Sequence, residues 1–124
     1  MMRPRGLLPI ALLVGTILRG QSPQAEAPYK IGGDVSAPRI ASKVEPEYTR
    51  EARKVRREGD VIIELVVTRD GEASEVRAIS NPLGFGLDES AIKAVEKWCF
   101  KPGEKDGKPV PIISQITVRF RLPR

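Results

Sequence analysis

The stretch VIIELVVTRDG, residues 61–71, carries the strongest strand signal in this chain of 124 residues. Its first eight residues alternate between two faces, as side chains do along a β-strand. Both faces are partly apolar, which favours a central strand with one side better covered than the other. Asp70 and Gly71 then form a dipeptide typical of a tight hairpin turn. We therefore predict a central strand over residues 61–68 that turns four side chains to one face: Val61, Ile63, Leu65 and Val67.

Two further segments have strand character. Residues 73–80, ASEVRAIS, return from the hairpin and place Val76 and Ala78 on one face. Residues 112–122, IISQITVRFRL, alternate cleanly between apolar and polar side chains. Prolines cannot donate to a strand ladder, so Pro111 marks where this last strand can begin. Its apolar face is predicted to hold Ile112, Ile116, Val118, Phe120 and Leu122.

A first helix is predicted from about residue 47 to residue 57. Pro46 suits the first helical position, Tyr48, Ala52 and Val55 form a narrow apolar stripe, and Gly59 fits a left-handed helix end. The opposite side is basic. It could be a solvated face with ion pairs to neighbouring glutamates, or a patch for an anionic surface such as cell-wall polymer. The basic residues are Arg50, Arg53, Lys54, Arg56 and Arg57.

The stretch GLDESAIKAVEKWCFKP, residues 86–102, predicts a second helix that ends at its Trp-Cys-Phe-Lys-Pro sequence. Asp88 is the expected N-cap. We interpret Trp98 and Phe100 as the plug that fixes this helix to the sheet. Cys99 is expected to be a half-buried small hydrophobe, and a disulfide to another molecule is the alternative.

The predicted order is helix, hairpin, helix, strand, which defines an α+β fold. We expect an antiparallel sheet of three strands with both helices packed on its apolar face, because this arrangement buries every apolar stripe.

Composition argues against an enzyme. The chain has no histidine and one cysteine, so it offers no imidazole base, no Cys-rich zinc site and no intramolecular disulfide. Ser90 and Lys93 match the Ser-x-x-Lys motif of penicillin-recognising serine enzymes, but the companion Ser-Asp-Asn and Lys-Thr-Gly motifs do not occur. We interpret this spacing as chance. No catalytic residue, cofactor or metal is expected.

The N-terminal end reads as an export signal. Arg3 and Arg5 precede an apolar run over residues 6–18, which is short for a membrane span. Export and charges that alternate in sign make nucleic acid an unexpected partner, although the net charge is +5. The chain is predicted to consist of a signal peptide or short signal anchor (residues 1–27), a leader or linker (28–38) and one domain (39–124).

Five segments, in this order and spacing, carry a family resemblance. They are EPEYTREA at residues 45–52, EGDVIIELVVTRDG at 58–71, LDESAIKAVEKWCFKP at 87–102, DGKPV at 106–110 and VRFRL at 118–122. Together they resemble the C-terminal domain of TonB-family energy transducers. The resemblance covers residues 38–122 and implies a periplasmic domain of two helices on a three-stranded antiparallel sheet.

The resemblance also implies partners. In that family the domain binds outer-membrane transporters, whose N-terminal peptide, the TonB box, adds to the last strand by backbone hydrogen bonds. The resemblance further implies that inner-membrane motor proteins supply a force, which this domain passes to the transporter. The alternative is an envelope module that binds cell-wall polymer or forms a homodimer. The implied contact residues are Glu45, Pro46, Glu47, Tyr48, Ile113, Ser114, Gln115, Ile116, Thr117, Val118 and Arg119.

Overall fold

The computed structural model describes residues 27–124. The predicted signal segment, apart from its last residue, lies outside them. Within the described part no helix is long and apolar enough to cross a membrane. The elements follow one another as β1 (Tyr29–Lys30), β2 (Arg39–Ser42), α1 (Arg50–Lys54), β3 (Gly59–Val67), β4 (Ala73–Ala78), α2 (Leu87–Val95), β5 (Cys99–Lys101), β6 (Glu104–Lys105), β7 (Lys108–Pro109) and β8 (Ile112–Phe120).

The main sheet has the strand order β1-β8-β3-β4. Strands β8, β3 and β4 are antiparallel neighbours, as predicted. The short strand β1 then adds to β8 in parallel, with Tyr29 opposite Ile112 and Lys30 opposite Ile113. The α+β class is confirmed, but the expected three-stranded antiparallel sheet is a four-stranded mixed one. Two small sheets, β2 with β5 and β6 with β7, complete the fold.

The core forms on the face of β3 that the alternation predicts. Val61, Ile63 and Val67 are fully buried and Leu65 is 1% exposed. Both helices contribute to this cluster, so they cover the apolar face of the sheet as expected. The other buried members are Ala52, Leu87, Ala91, Val95, Trp98, Phe100, Val118 and Phe120.

The first helix is shorter than predicted. α1 begins at Arg50 because the Thr49 hydroxyl caps it and accepts from the Ala52 backbone N–H at 3.1 Å. Pro46 therefore lies outside the helix, and Val55, which follows its last turn, is 55% exposed. The left-handed position after the helix is occupied by Arg56, with a φ of 54°, instead of Gly59.

The second helix begins and ends earlier than predicted. Gly86 is the N-cap of α2, and Asp88 lies inside the first turn. Its carboxylate accepts from the backbone N–H groups of Leu83 and Gly84, at 3.1 and 2.9 Å. Asp88 therefore holds the loop before the helix, and the expectation that it caps α2 was wrong.

The Trp-Cys-Phe sequence leaves α2 and runs into strand β5. Side chains alternate along this extended segment, so Trp98 and Phe100 turn inward, at 7% and 8% exposed. Their predicted place in the core is confirmed. Cys99 points outward and is exposed, so the prediction of a half-buried thiol was wrong.

The two Asp-Gly turns offer a matched test of close packing. Gly71 and Gly107 have φ angles of 85° and 77°, so alanine at either position costs about 1–2 kcal/mol in backbone strain. A Cβ at Gly107 meets open space, whereas one at Gly71 overlaps the Phe100 carbonyl oxygen. We predict that Gly71→Ala lowers the free energy of unfolding by about 1–3 kcal/mol more than Gly107→Ala does. Equal losses in urea denaturation would contradict this packing of the hairpin against β5.

The neighbours Trp98 and Cys99 differ in burial, so their substitution separates core from surface. Trp98→Ala is predicted to lower the free energy of unfolding by about 3–5 kcal/mol, because it empties a large volume in the core. Cys99→Ser is predicted to change it by less than about 0.5 kcal/mol. Thermal or urea unfolding of the two variants measures the difference. Similar destabilisation would mean that Trp98 is not a core residue.

Candidate functional site

The last strand has an edge that is only partly occupied. β3 pairs with β8 along its whole length, from Gly59 opposite Phe120 to Val67 opposite Ile112. On the other side of β8, β1 covers only Ile112 and Ile113. Within the described part of the chain, the edge over residues 114–120 has no strand partner.

The backbone groups of this edge alternate in direction. The Tyr29 N–H donates to the Pro111 carbonyl at 2.8 Å, so the groups of the odd-numbered residues face away from β3. The N–H and C=O groups of Gln115, Thr117 and Arg119 therefore point to the open side. Their side chains are exposed, on the face opposite the core. This is a row of donors and acceptors that another strand can satisfy.

A groove of about 280 Å³ runs beside this edge. One wall is the segment 43–46, which precedes α1. The other is residues 117–119 of β8, and Trp98 completes the lining. The groove thus brings together five of the sequence-predicted contact residues: Glu45, Pro46, Thr117, Val118 and Arg119.

Trp98 fixes the position of the segment wall. Its indole N–H donates to the Val44 carbonyl at 2.9 Å, while its ring lies in the core beside Phe100, with centroids 6.2 Å apart. The Lys43 ammonium lies 5.6 Å from the centroid of the same ring. The sheet core and the groove wall are therefore connected through one side chain.

Two other predicted contact residues, Glu47 and Tyr48, directly follow the groove wall in the sequence but point away from the groove. Tyr48 packs edge-on against Phe120, with ring centroids 5.4 Å apart, and its hydroxyl donates to the Arg57 carbonyl. Glu47 lines a separate cavity of about 280 Å³ along α2, where its carbonyl accepts from the Ser90 hydroxyl. Neither lines the groove beside β8.

The remaining predicted residues of β8 differ in availability. Val118 is buried at 6% exposed, and Ile116 packs against the core. The Ser114 hydroxyl is buried and has no hydrogen-bond partner among the described residues. Ile113 pairs with Lys30 and lines a cavity with Glu64 and other residues of β3 and β4. The backbone groups of Ser114, Ile116 and Val118 face β3, so these residues offer a partner little, whereas Gln115, Thr117 and Arg119 offer both outward backbone groups and exposed side chains.

The basic side of α1 is a second exposed surface. All of its cationic residues are exposed, and none forms an ion pair with another residue of the described range, 27–124. The expected ion pairs to neighbouring glutamates are therefore not formed. One cation has another role, since the Arg57 Nε donates to the Leu83 carbonyl at 3.0 Å. The surface consists of Arg50, Arg53, Lys54, Arg56 and Arg57.

Sequence reasoning missed two parts of the site. Lys43, Val44 and Trp98 line the groove although the sequence assigned no contact to them. A signal existed for Trp98, because a buried indole N–H needs an acceptor and its neighbours in the core are apolar. The pairing of β1 with β8 had no comparable signal, since two residues are too few to show a strand period.

A small sheet domain with an open strand edge beside a groove defines a class of binding module that can add a partner strand. Comparison with known proteins gives the particular family. Residues 44–122 match the family described as Gram-negative bacterial TonB protein C-terminal. The chain therefore belongs to the TonB C-terminal family, which confirms the resemblance and that the protein is not an enzyme.

Individual relatives agree with this assignment. The chain is 35% identical over 83 residues to Protein TonB of Vibrio cholerae serotype O1, covering 67% of this chain and 34% of the relative. It is 30% identical over 77 residues to Protein tonB2 of Pseudomonas aeruginosa, covering 62% and 28%. The chain thus spans about a third of the length of these curated relatives.

A solved structure supports the fold. The solution NMR structure of the Pseudomonas aeruginosa TonB CTD superposes with a TM-score of 0.58 at 22% identity, covering 77% of this chain and 94% of that one. The similarity extends over nearly all of that domain, so the α+β architecture is shared.

The indole hydrogen bond to Val44 predicts a specific effect on the groove wall. Trp98→Phe keeps an aromatic ring in the core but leaves the Val44 carbonyl without its donor. We predict a loss of about 1–3 kcal/mol in the free energy of unfolding, together with shifted amide resonances at Glu45 and Glu47. Thr117→Ala, on the opposite wall, is the control. Unchanged resonances in Trp98→Phe would mean that the bond does not hold the segment.

Proposed function

We propose that this chain is a periplasmic binding module of a TonB-type transport system. It takes an extended peptide from an outer-membrane transporter as an added strand along β8. The observation that carries the proposal is the open β8 edge over residues 114–120, in a member of the TonB C-terminal family. Strand addition uses main-chain hydrogen bonds for affinity and neighbouring pockets for specificity.

The edge and the groove supply these two parts in one place. Gln115, Thr117 and Arg119 present backbone donors and acceptors to an incoming strand. The groove beside them takes side chains of that strand against Val44, Pro46 and the Trp98 ring. The arrangement suits an extended segment with small or apolar side chains on its groove side.

The charges around the groove are mixed. Arg119 lies 3.8 Å from Asp60 as an exposed ion pair, which contributes little to stability. Lys43 and Glu45 stand on the opposite wall. Since both signs are present, binding through this site is expected to depend on salt less than binding to a uniformly basic surface.

The wider role also belongs to the proposal. An exported domain held at the inner membrane by residues 6–18, or released by their cleavage, would meet transporters in the periplasm. Force from inner-membrane motor proteins would reach the transporter through the strand joint. The open edge of β8 supports the strand joint, and membership of the TonB C-terminal family supports the coupling to the motor.

A second candidate function rests on the basic side of α1. Its exposed cations lack ion-pair partners within residues 27–124. They could bind an anionic cell-wall polymer or a second copy of the chain. Such binding would be mainly electrostatic and would weaken steeply as salt rises. It would also perturb α1 and leave β8 unchanged.

Thr117 offers a test that blocks the edge without breaking the sheet. Its N–H points away from β3, so proline there removes an outward donor and adds a ring on the binding side. We predict that Thr117→Pro weakens binding of a synthetic TonB-box peptide about tenfold or more. The free energy of unfolding should change by less than about 1 kcal/mol. Isothermal titration calorimetry and urea unfolding measure the two quantities.

Thr117→Ala is the matched control, because it removes the side chain and keeps the N–H. It should bind the peptide within about threefold of the unmodified chain. If Thr117→Pro binds as tightly as Thr117→Ala, the β8 edge is not the docking site. Binding that disappears with moderate salt and follows charge-reversing substitutions on α1 would favour the second candidate instead.

A further inference from the structure

The section of the β8 edge that is not open is covered by the chain's own leader. Strand β1 lies parallel to β8 and is held by the Tyr29 N–H, which donates to the Pro111 carbonyl at 2.8 Å. It occupies the same edge of the sheet, on the same side of β8, as the strand addition proposed above.

A turn ends this internal strand after two residues. Gly32 and Val35 exchange backbone hydrogen bonds, each 3.0 Å long. Gly32 and Gly33 both have positive φ, at 131° and 60°, which glycine adopts without a steric penalty. The turn carries the chain away from β8, so the edge beyond Ile113 stays open.

The leader is anchored behind the turn as well as at β1, where the Lys105 ammonium lies 5.8 Å from the centroid of the Tyr29 ring. Val35 is 7% exposed and forms a small apolar cluster with Val110 and Ile112. The Ser36 N–H donates to the Glu104 carbonyl at 2.9 Å. In β1 itself, Tyr29 is half-buried against this cluster, and Lys30 is exposed. β1 can therefore leave β8 while residues 35–36 stay in place.

We propose that β1 is an internal competitor for the docking edge: a partner strand that extends beyond the open section must displace Tyr29 and Lys30 from β8. This inference rests on the proposed function, since it concerns the same edge. A short partner strand that pairs only with residues 114–120 binds without displacing β1. A longer one gains the backbone groups at Ile113 and Pro111 only after β1 has moved.

The expected strength of this competition is modest. The backbone hydrogen bonds of a two-residue strand at an exposed edge contribute little net free energy, because water satisfies the same groups when the strand leaves. The apparent Kd of a competing strand rises by the inverse of the fraction of molecules in which the edge is free. Competition of this size weakens a long peptide by about 3- to 10-fold, enough to measure and weak enough to be overcome.

Two proline variants of the full chain separate β1 pairing from other effects. Tyr29→Pro removes the N–H that donates to Pro111. Lys30→Pro is the matched control, because the N–H of the next residue along a strand points the other way. Each is titrated with a nine-residue TonB-box peptide, as long as β8, and with its central five residues. Trp98 fluorescence during unfolding checks that the main core is intact.

We expect Tyr29→Pro to bind the nine-residue peptide about 3- to 10-fold more tightly than the unmodified chain. Its affinity for the five-residue peptide should stay within about twofold. Lys30→Pro should match the unmodified chain with both peptides. This dependence on peptide length is the signature of competition at the first part of the edge.

Two other results would overturn the inference at different levels. If the nine-residue peptide binds all three proteins with equal affinity, β1 is not a competitor. The same holds if Tyr29→Pro raises the affinity for both peptides by the same factor. In either case the proposed function is unaffected. If neither peptide binds the unmodified chain or Tyr29→Pro, the docking edge and its competitor are both rejected.

Discussion

The unbroken antiparallel pairing between β3 and β8 is the constraint on which the rest of the structure depends. Both strands are nine residues long and stay in register from end to end. A slip of one residue would turn the buried side of β3 toward solvent, so the register is strongly fixed. The same pairing uses one side of β8 and leaves the other for a partner. One edge of β8 thus contributes to the stability of the sheet, and its other edge is available for binding.

Three segments lie along the outer edge of β8: the groove wall of residues 43–46, the leader strand β1 and the proposed partner strand. The wall of residues 43–46 is bonded to the Trp98 indole through the Val44 carbonyl and lies across a groove from the edge. The leader strand β1 takes the first two positions. Residues 114–120 of the edge are open to a partner strand. Because β1 covers only two positions, the domain presents a preformed edge that a partner strand lengthens if it displaces β1.

The sequence predicted the parts of the fold that follow from periodicity. The buried face of β3 and the inward Trp98 and Phe100 were readable because their alternation is long or their side chains large. The ends of the helices could not be predicted from periodicity. The Thr49 cap makes α1 shorter than its apolar stripe indicates. Cys99 is exposed because it lies in strand β5, a segment that the sequence pattern assigned to the end of a helix. The groove needed tertiary information, since residues 43–46 and 117–119 are far apart in sequence. Two-residue β1 left no period to detect.

Backbone hydrogen exchange at the open edge tests the central claim most directly. In the free chain, the amides of Gln115, Thr117 and Arg119 point away from β3 and should exchange fast. With a saturating TonB-box peptide, the account predicts strong protection of these three amides, because the added strand accepts from them. The amides of Ile116 and Val118, which already pair with β3, should change little. Unchanged exchange at these three residues, with altered exchange confined to α1, would contradict it.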